Sequence, residues 1–486
     1  MRGSRASGSP SSLSLGARVR RGLAVLLLGL GGCALAGRPP VSEPPLLDEG
    51  KVLVYLTPIP QQGRRLSFAV ERLTAVREGG EAVPLQVHLP AIVASELSRD
   101  ERLLASGRLP PGRYLGLRLA AAGARLAGEG RATDLLVGPE PARVEVPFDV
   151  RRGQAVVVKL SLDPEGALEG GFEFTPRFAG AVPARTSPGL VGACTNTRTN
   201  DVTLFDTQTR AVTGVVATGP SPYGVALDPV AGRAYVALGG QDQLEVVDLV
   251  RAEPAGRIPM RAGDEPRALL LLADRRTLLV LNFRSQTAAF VDALTSRELD
   301  RVGVGDAPWS VVHQGIGNRA IVVNRRSSSL TVLDLATRQV VATIPTDPEP
   351  LFAHASRDGT RLYLVHAGSL FMTEYALPSL AVSRRIRVGL GASTVKLDSR
   401  TGLIYVARAQ EGRIEVFDAF SALPVDGFDV PGGVSRLAID DQQDQLFALM
   451  PSRRAVAVVD LTSRRLVSVI EVSGDPYQVR LAAERD

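Results

Sequence analysis

Between residues 50 and 180, apolar and polar residues alternate in short runs: KVLVYL, LSFAVERLTAV, VPLQV, RYLGLRL, ATDLLV, ARVEVPFDV, QAVVVKLSL and FEFTPRF. A period of two puts every second side chain on a buried face, the pattern of a strand wetted on one side. Eight such runs separated by Gly- and Pro-containing turns predict an all-β sandwich. ERLLASG, near residues 101–107, lacks the alternation and reads as one short helix. The segment AVPARTSPG at 181–189 then interrupts the pattern and marks a domain boundary.

From residue 190 the runs fall into a repeat. Strand ends carry Asp206, Asp248, Asp292, Asp334, Asp418 and Asp460, with Tyr375 in the fifth place, at gaps of 42, 44, 42, 41, 43 and 42 residues. A second marker keeps the same period: Pro222, Pro266, Pro308, Pro350 and Pro476, with Ala392 and Val434 in the two remaining places. Units of this length made of four short β runs predict the blades of a propeller rather than helical repeats. Residues 309–350 are one whole unit. The first unit, LVGACTN, DVTLFD and AVTGVVATG, lacks an inner strand, whereas the chain ends on an unpartnered YQVRLAAE at 477–484. The end is expected to complete the beginning, giving seven blades closed by the C-terminal strand with no free edge at the junction. The fold class expected is therefore all-β: a β-sandwich over 50–180, a linker at 181–189, and a seven-bladed β-propeller over 190–486.

Thirteen residues before the Asp marker stands Ala193, Tyr235, Leu279, Ile321, Tyr405 or Phe447, with Tyr363 twelve before Tyr375; the run beginning there ends in Asn at Asn196, Asn282 and Asn324. The runs YVAL (235–238), YVAR (405–408) and IVVN (321–324) resemble the YVTN family of propellers. That resemblance extends over residues 190–486 and implies the seven-bladed fold, with no shared chemistry to carry over. In the first domain, LPPGRYLGLRL (109–119), preceded by LSFAVERLTAV and followed by FDV and FTPRF, resembles a bacterial lipoprotein sandwich family of unknown function.

Residues 18–33, RVRRGLAVLLLGLGGC, combine a basic start with an apolar run too short to span a bilayer, the pattern of a secretion signal over residues 1–32. Its end, Leu30-Gly31-Gly32-Cys33, resembles the lipobox of bacterial lipoproteins. The resemblance implies that Cys33 carries a lipid and becomes the mature N-terminus, and Ala34 after it implies sorting to the outer membrane. Residues 34–49, rich in Pro and polar groups, read as a flexible tether. The expected location is thus an outer membrane lipoprotein facing the periplasm or the cell surface, with the membrane engaged through the N-terminal lipid.

Composition narrows the chemistry. The net charge of +5 comes from 56 basic residues, of which only Lys51, Lys159 and Lys396 are Lys. This mild basicity gives no reason to expect a nucleic-acid partner. The two cysteines cannot form a disulfide framework, and Cys194 reads as a small buried residue rather than a nucleophile. The chain has no CxxCH for haem and a single Trp, and His313, His354 and His366 occupy non-equivalent blade positions without a metal spacing. His88 reads as a surface or satisfied core residue. No cofactor, metal site or catalytic residue is therefore expected.

Loops between second and third strands carry Arg198, Arg284, Arg325, Arg326, Arg408, Arg413, Arg453 and Arg454. Connections between blades carry Asp264, Glu265, Asp306, Asp347, Glu349 and Asp475, followed in four blades by Tyr223, Arg267, Trp309 and Tyr477. Both sets belong to one face, so the expected site is an Arg rim around an acidic, partly aromatic funnel, with Asn196, Asn282 and Asn324 at the adjoining strand ends. Arg forks suit carboxylate and phosphate, which points to an anionic glycan or a polypeptide from the cell envelope as partner. The expected function is binding or scaffolding by this face. Two alternatives stand beside it: a lactonase-like hydrolase with its site in the channel, by fold analogy alone, and a structural component of an envelope assembly. Oligomeric state is not legible.

Overall fold

In the computed structural model of the protein, the described residues are 42–484 without 129–130, 170–171 and 315–316. Cys33 and the signal-like run lie outside them. No helix among the described residues is long and apolar enough to cross a membrane.

The N-terminal domain is one mixed sheet of twelve strands. Gly50–Leu56 lies between Arg102–Leu109, antiparallel, and Ala155–Leu162, parallel. The long strands Leu66–Arg77 and Gly112–Ala127 make up most of the opposite layer. Ala82–Val87 pairs with both Leu66–Arg77 and Arg102–Leu109, so the two layers of a sandwich belong to a single sheet that curls into a half-barrel. Alternate side chains, among them Phe68, Leu73, Tyr114, Leu117, Phe148 and Phe174, fill the concave side. The expected helix near 101–107 is a strand instead. Its Leu104 and Ala105 are buried, and pairing with Gly50–Leu56 outweighs the missing alternation, because a strand covered on both faces has no polar side to show.

Seven four-stranded sheets follow, and the first has the order Val212–Ala217, Asp201–Asp206, Val191–Asn196, Pro476–Leu481. The C-terminal strand is therefore the innermost strand of blade one and closes the ring. Gly192 is required there, since a Cβ would lie 2.1 Å from the Phe205 ring. Blade four is typical: Pro308–His313, Arg319–Asn324, Ser329–Asp334 and Gln339–Pro345. Its Asp marker works as a turn cap, Asp334 Oδ1 accepting from the N–H groups of Ala336 at 3.0 Å and Thr337 at 2.8 Å. Asp206, Asp248, Asp292, Asp418 and Asp460 cap their turns in the same way. In blade five the third strand, Phe371–Ala376, ends one residue later than the marker reading assumed. Ala376, not Tyr375, occupies the vacant place, and the gaps on either side both become 42.

The two domains share a core. Leu53, Tyr55 and Val157 of the half-barrel pack in one cluster with Phe205, Val215, Phe447 and Ile470 of blades one and seven. Polar ties surround it: Lys51 Nζ to Asp201 Oδ2 at 3.1 Å, the Val212 N–H to Glu101 Oε2 at 3.1 Å, and the Val469 N–H to Asp100 Oδ1 at 3.1 Å. Docking begins earlier than the expected tether end, as the Glu43 N–H donates to the Arg198 carbonyl at 2.7 Å.

Candidate functional site

The inner strands of the seven blades surround a central channel. Each starts on the face that also carries the loops between second and third strands, because inner and second strands run antiparallel, with Pro308 opposite Asn324. The channel holds a cavity of about 270 Å³.

Its mouth is built from rings and guanidinium groups in contact. The Arg267 guanidinium lies 3.7 Å from the centre of the Phe283 ring and 4.8 Å from that of Tyr223. Arg325 lies 4.9 Å over Trp309. Tyr223 meets Tyr477 edge to face at 4.9 Å, and Phe283 meets Trp309 at 6.5 Å. Such stacking fixes the plane of a guanidinium and leaves its N–H edge available. Two of these arginines already have carboxylates: Arg267 reaches Glu265 through Nε at 2.9 Å, and Arg325 lies 3.4 Å from Glu349.

Arg436 does not. Its guanidinium sits 3.9 Å from the centre of the Phe352 ring and 5.1 Å from that of Tyr477, inside the channel wall, and it donates to the Ser435 carbonyl at 2.9 Å. Burial pushes it down to about 10, partly opposed by Tyr477. Arg436 is half-buried, and holding a partly desolvated cation without a counter-ion costs free energy that an arriving anion would recover. Arg436 escaped the sequence reading because it follows Val434, the weakest of the marker positions, and lies on an inner strand rather than in a loop. At the other end of the inner strands, Lys396 Nζ is 2.6 Å and Arg480 Nη1 3.4 Å from the carboxylate of Glu484, the only Asp or Glu among the described residues that lines the cavity.

The expected rim residues divide into three groups. Tyr223, Arg267, Trp309, Arg325 and Tyr477 do meet at the mouth. Arg326 pairs with Asp306 at 3.3 Å, Arg408 with Glu411 at 2.7 Å and Glu415 at 2.9 Å, and Arg284 is exposed. Arg198, Arg453 and Arg454 lie elsewhere, in a cleft against the half-barrel. The acidic connections therefore act largely as partners of the rim arginines. Asn196, Asn282 and Asn324 are fully buried inside their blades. Asn324 Nδ2 donates to Ser329 Oγ at 3.2 Å and Thr331 Oγ1 at 2.9 Å, Asn282 Nδ2 to Thr287 Oγ1 at 3.0 Å, and Asn196 Nδ2 to Asp201 Oδ1 at 2.8 Å. They tie second strands to third strands. Cys194 is buried, and desolvation followed by the nearby Asp201 charge pushes its thiol well above the ordinary range, which suits packing rather than nucleophilic attack.

Comparison with known proteins agrees with this architecture. Residues 194–361 match the family described as YNCE-like beta-propeller. No curated protein matches the sequence. Among solved structures, a functionally unknown protein from Desulfotomaculum acetoxidans DSM 771 superposes with a TM-score of 0.53 at 11% identity, covering 60% of this chain and 98% of that one. Kuenenia stuttgartiensis hydrazine synthase gives 0.50 at 17% identity, covering 60% and 95%. Dihydro-heme d1 dehydrogenase NirN in complex with DHE gives 0.50 at 15% identity, covering 62% and 78%. At these identities the likeness concerns the fold alone. The C-terminal ring of this chain is a seven-bladed β-propeller, and residues 194–361 within it are similar to the YNCE-like propeller family.

Proposed function

We propose that this protein is an extracytoplasmic binding module that takes an anionic glycan into the mouth of its propeller channel, held at the outer membrane by a lipid on Cys33, with the half-barrel as a lipoprotein domain that positions the ring. The observation that carries the reading is the Arg436 guanidinium, stacked between Phe352 and Tyr477 without a carboxylate partner among the described residues. A uronate carboxylate fits the fork of Arg436, and the sugar ring that bears it fits against the aromatic edges of Trp309 and Tyr477. Titration of the protein with trigalacturonate, with neutral maltotriose as control, tests it.

A second reading is an acidic polypeptide of the envelope. One feature favours it: Lys396 and Arg480 already hold a peptide carboxylate, that of the chain's own Glu484. An acidic peptide that competes with trigalacturonate, and binds more tightly, would move the assignment to that class.

A further inference from the structure

Between the half-barrel and blades one and seven lies a second cavity of about 820 Å³, larger than the channel. Both domains line it, His88, Arg102 and Arg108 from one side and Arg198, Arg453 and Arg454 from the other. Most of its charges are matched. Lys51 pairs with Asp201 at 3.1 Å, Arg102 with Glu471, Arg108 with Glu49 at 3.8 Å, and Arg198 with Asp475 at 3.5 Å. Arg453 and Arg454 are exposed and have no carboxylate within ion-pair distance among the described residues. They are not on a loose loop: Pro451–Arg453 is a 3₁₀ turn, and the Arg454 N–H closes it on the Pro451 carbonyl at 3.1 Å. Across the cavity His88 Nε2 is 2.7 Å from Ser106 Oγ. His88 is exposed to the cavity, and partial desolvation there, then the charges of Arg454, Lys51 and Arg198, press the imidazole below its ordinary value against the weaker pull of Glu471.

We propose that this interdomain cleft binds a phosphate group, with Arg453 and Arg454 from blade seven and His88 and Ser106 from the half-barrel supplying donors from opposite walls. Two unmatched guanidiniums call for a dianion. Donors on two facing walls call for more acceptor oxygens than one carboxylate presents, and a tetrahedral phosphate supplies both. Because the donors come from both domains, the packed junction between them is what makes the site. A bound dianion favours the charged imidazole, so binding takes up a proton at His88 around the ordinary histidine range of about 6.5.

Calorimetric titration of the full chain with pyrophosphate tests the proposal. Arg453→Ala/Arg454→Ala is expected to weaken binding at least about tenfold through the lost charge-assisted bonds. Arg251→Ala, an exposed arginine in a turn on the opposite face, should leave it unchanged. Titration in two buffers of different ionisation enthalpy should show proton uptake in the wild type and none in His88→Gln. Co-sedimentation with vesicles of phosphatidylglycerol or phosphatidylcholine separates the sources. Sedimentation that the double substitution abolishes assigns the phosphate to a lipid headgroup, and pyrophosphate binding without sedimentation assigns it to a soluble phosphate ester. No heat with millimolar pyrophosphate, or full affinity in the double variant, overturns the proposal.

Discussion

Lys51 of the half-barrel donates to Asp201 of blade one across 3.1 Å, and both side chains are buried. Asp201 also accepts from Asn196 Nδ2 at 2.8 Å, so one carboxylate serves the domain junction and the interior of the blade. Removing one partner of a buried pair strands the other, at a typical cost of about 3–5 kcal/mol. Lys51→Met should therefore lower stability by about 3 kcal/mol, the retained Asn196 bond keeping it near the low end. Adding Asp201→Asn should recover part of the loss. Urea unfolding of the two variants checks this; a Lys51→Met protein as stable as wild type would mean that the junction does not depend on the pair.

His366 ends the second strand of blade five, where blades one, three and four have Asn. Burial, more than the opposing Asp347 charge, lowers its pKa. A folded-state value below the unfolded one stabilises the fold at pH values above the ordinary histidine range of about 6.5, and that contribution is lost as the pH falls below it. Seven residues on, Thr373 Oγ1 is buried without a hydrogen-bond partner among the described residues, at the position where Thr331 accepts from Asn324. His366→Asn should supply the missing donor, raise stability by about 1 kcal/mol and flatten the loss between pH 7 and pH 5. Thermal melts across that range decide it.

Pro476–Leu481 is hydrogen-bonded to Val191–Asn196 and to no other strand among the described residues, so removing residues 477–486 should expose the inner edge of blade one. Loss of cooperative melting, or aggregation, is the expected result in scanning calorimetry. An unchanged transition would show that the ring holds without its last strand.

Much of the ring was legible because its markers are local. An Asp that caps a turn and a Pro that opens a strand recur at a fixed spacing whatever packs around them. Tyr375 misled by one residue because blade five has no capping Asp, and only the strand pairing of Arg361 with Ala376 restores the place. What sequence spacing could not show was proximity between distant segments. Nothing in the alternation of KVLVYL says that Leu53 and Tyr55 pack against Phe447, or that Lys51 reaches Asp201. The site divides in the same way. Tyr223, Arg267, Trp309 and Tyr477 were legible from their places after the markers, whereas Arg436 depends on which rings face it across the channel.

The lipid anchor has its own test. Cys33→Ser should release the protein from the membrane fraction, as fractionation with an immunoblot would record; wild-type protein that is already soluble after lysis would contradict the anchor.

Glycan binding at the channel mouth depends on Arg436, and isothermal titration with trigalacturonate is its test. Wild-type protein should bind, and Arg436→Met should weaken binding at least about tenfold, the loss expected when charge-assisted bonds are removed. The melting temperature should not fall, because a methionine between Phe352 and Tyr477 keeps the packing and removes a half-buried charge that has no carboxylate partner among the described residues. Equal affinity in the two proteins, or no binding to either, would contradict the account.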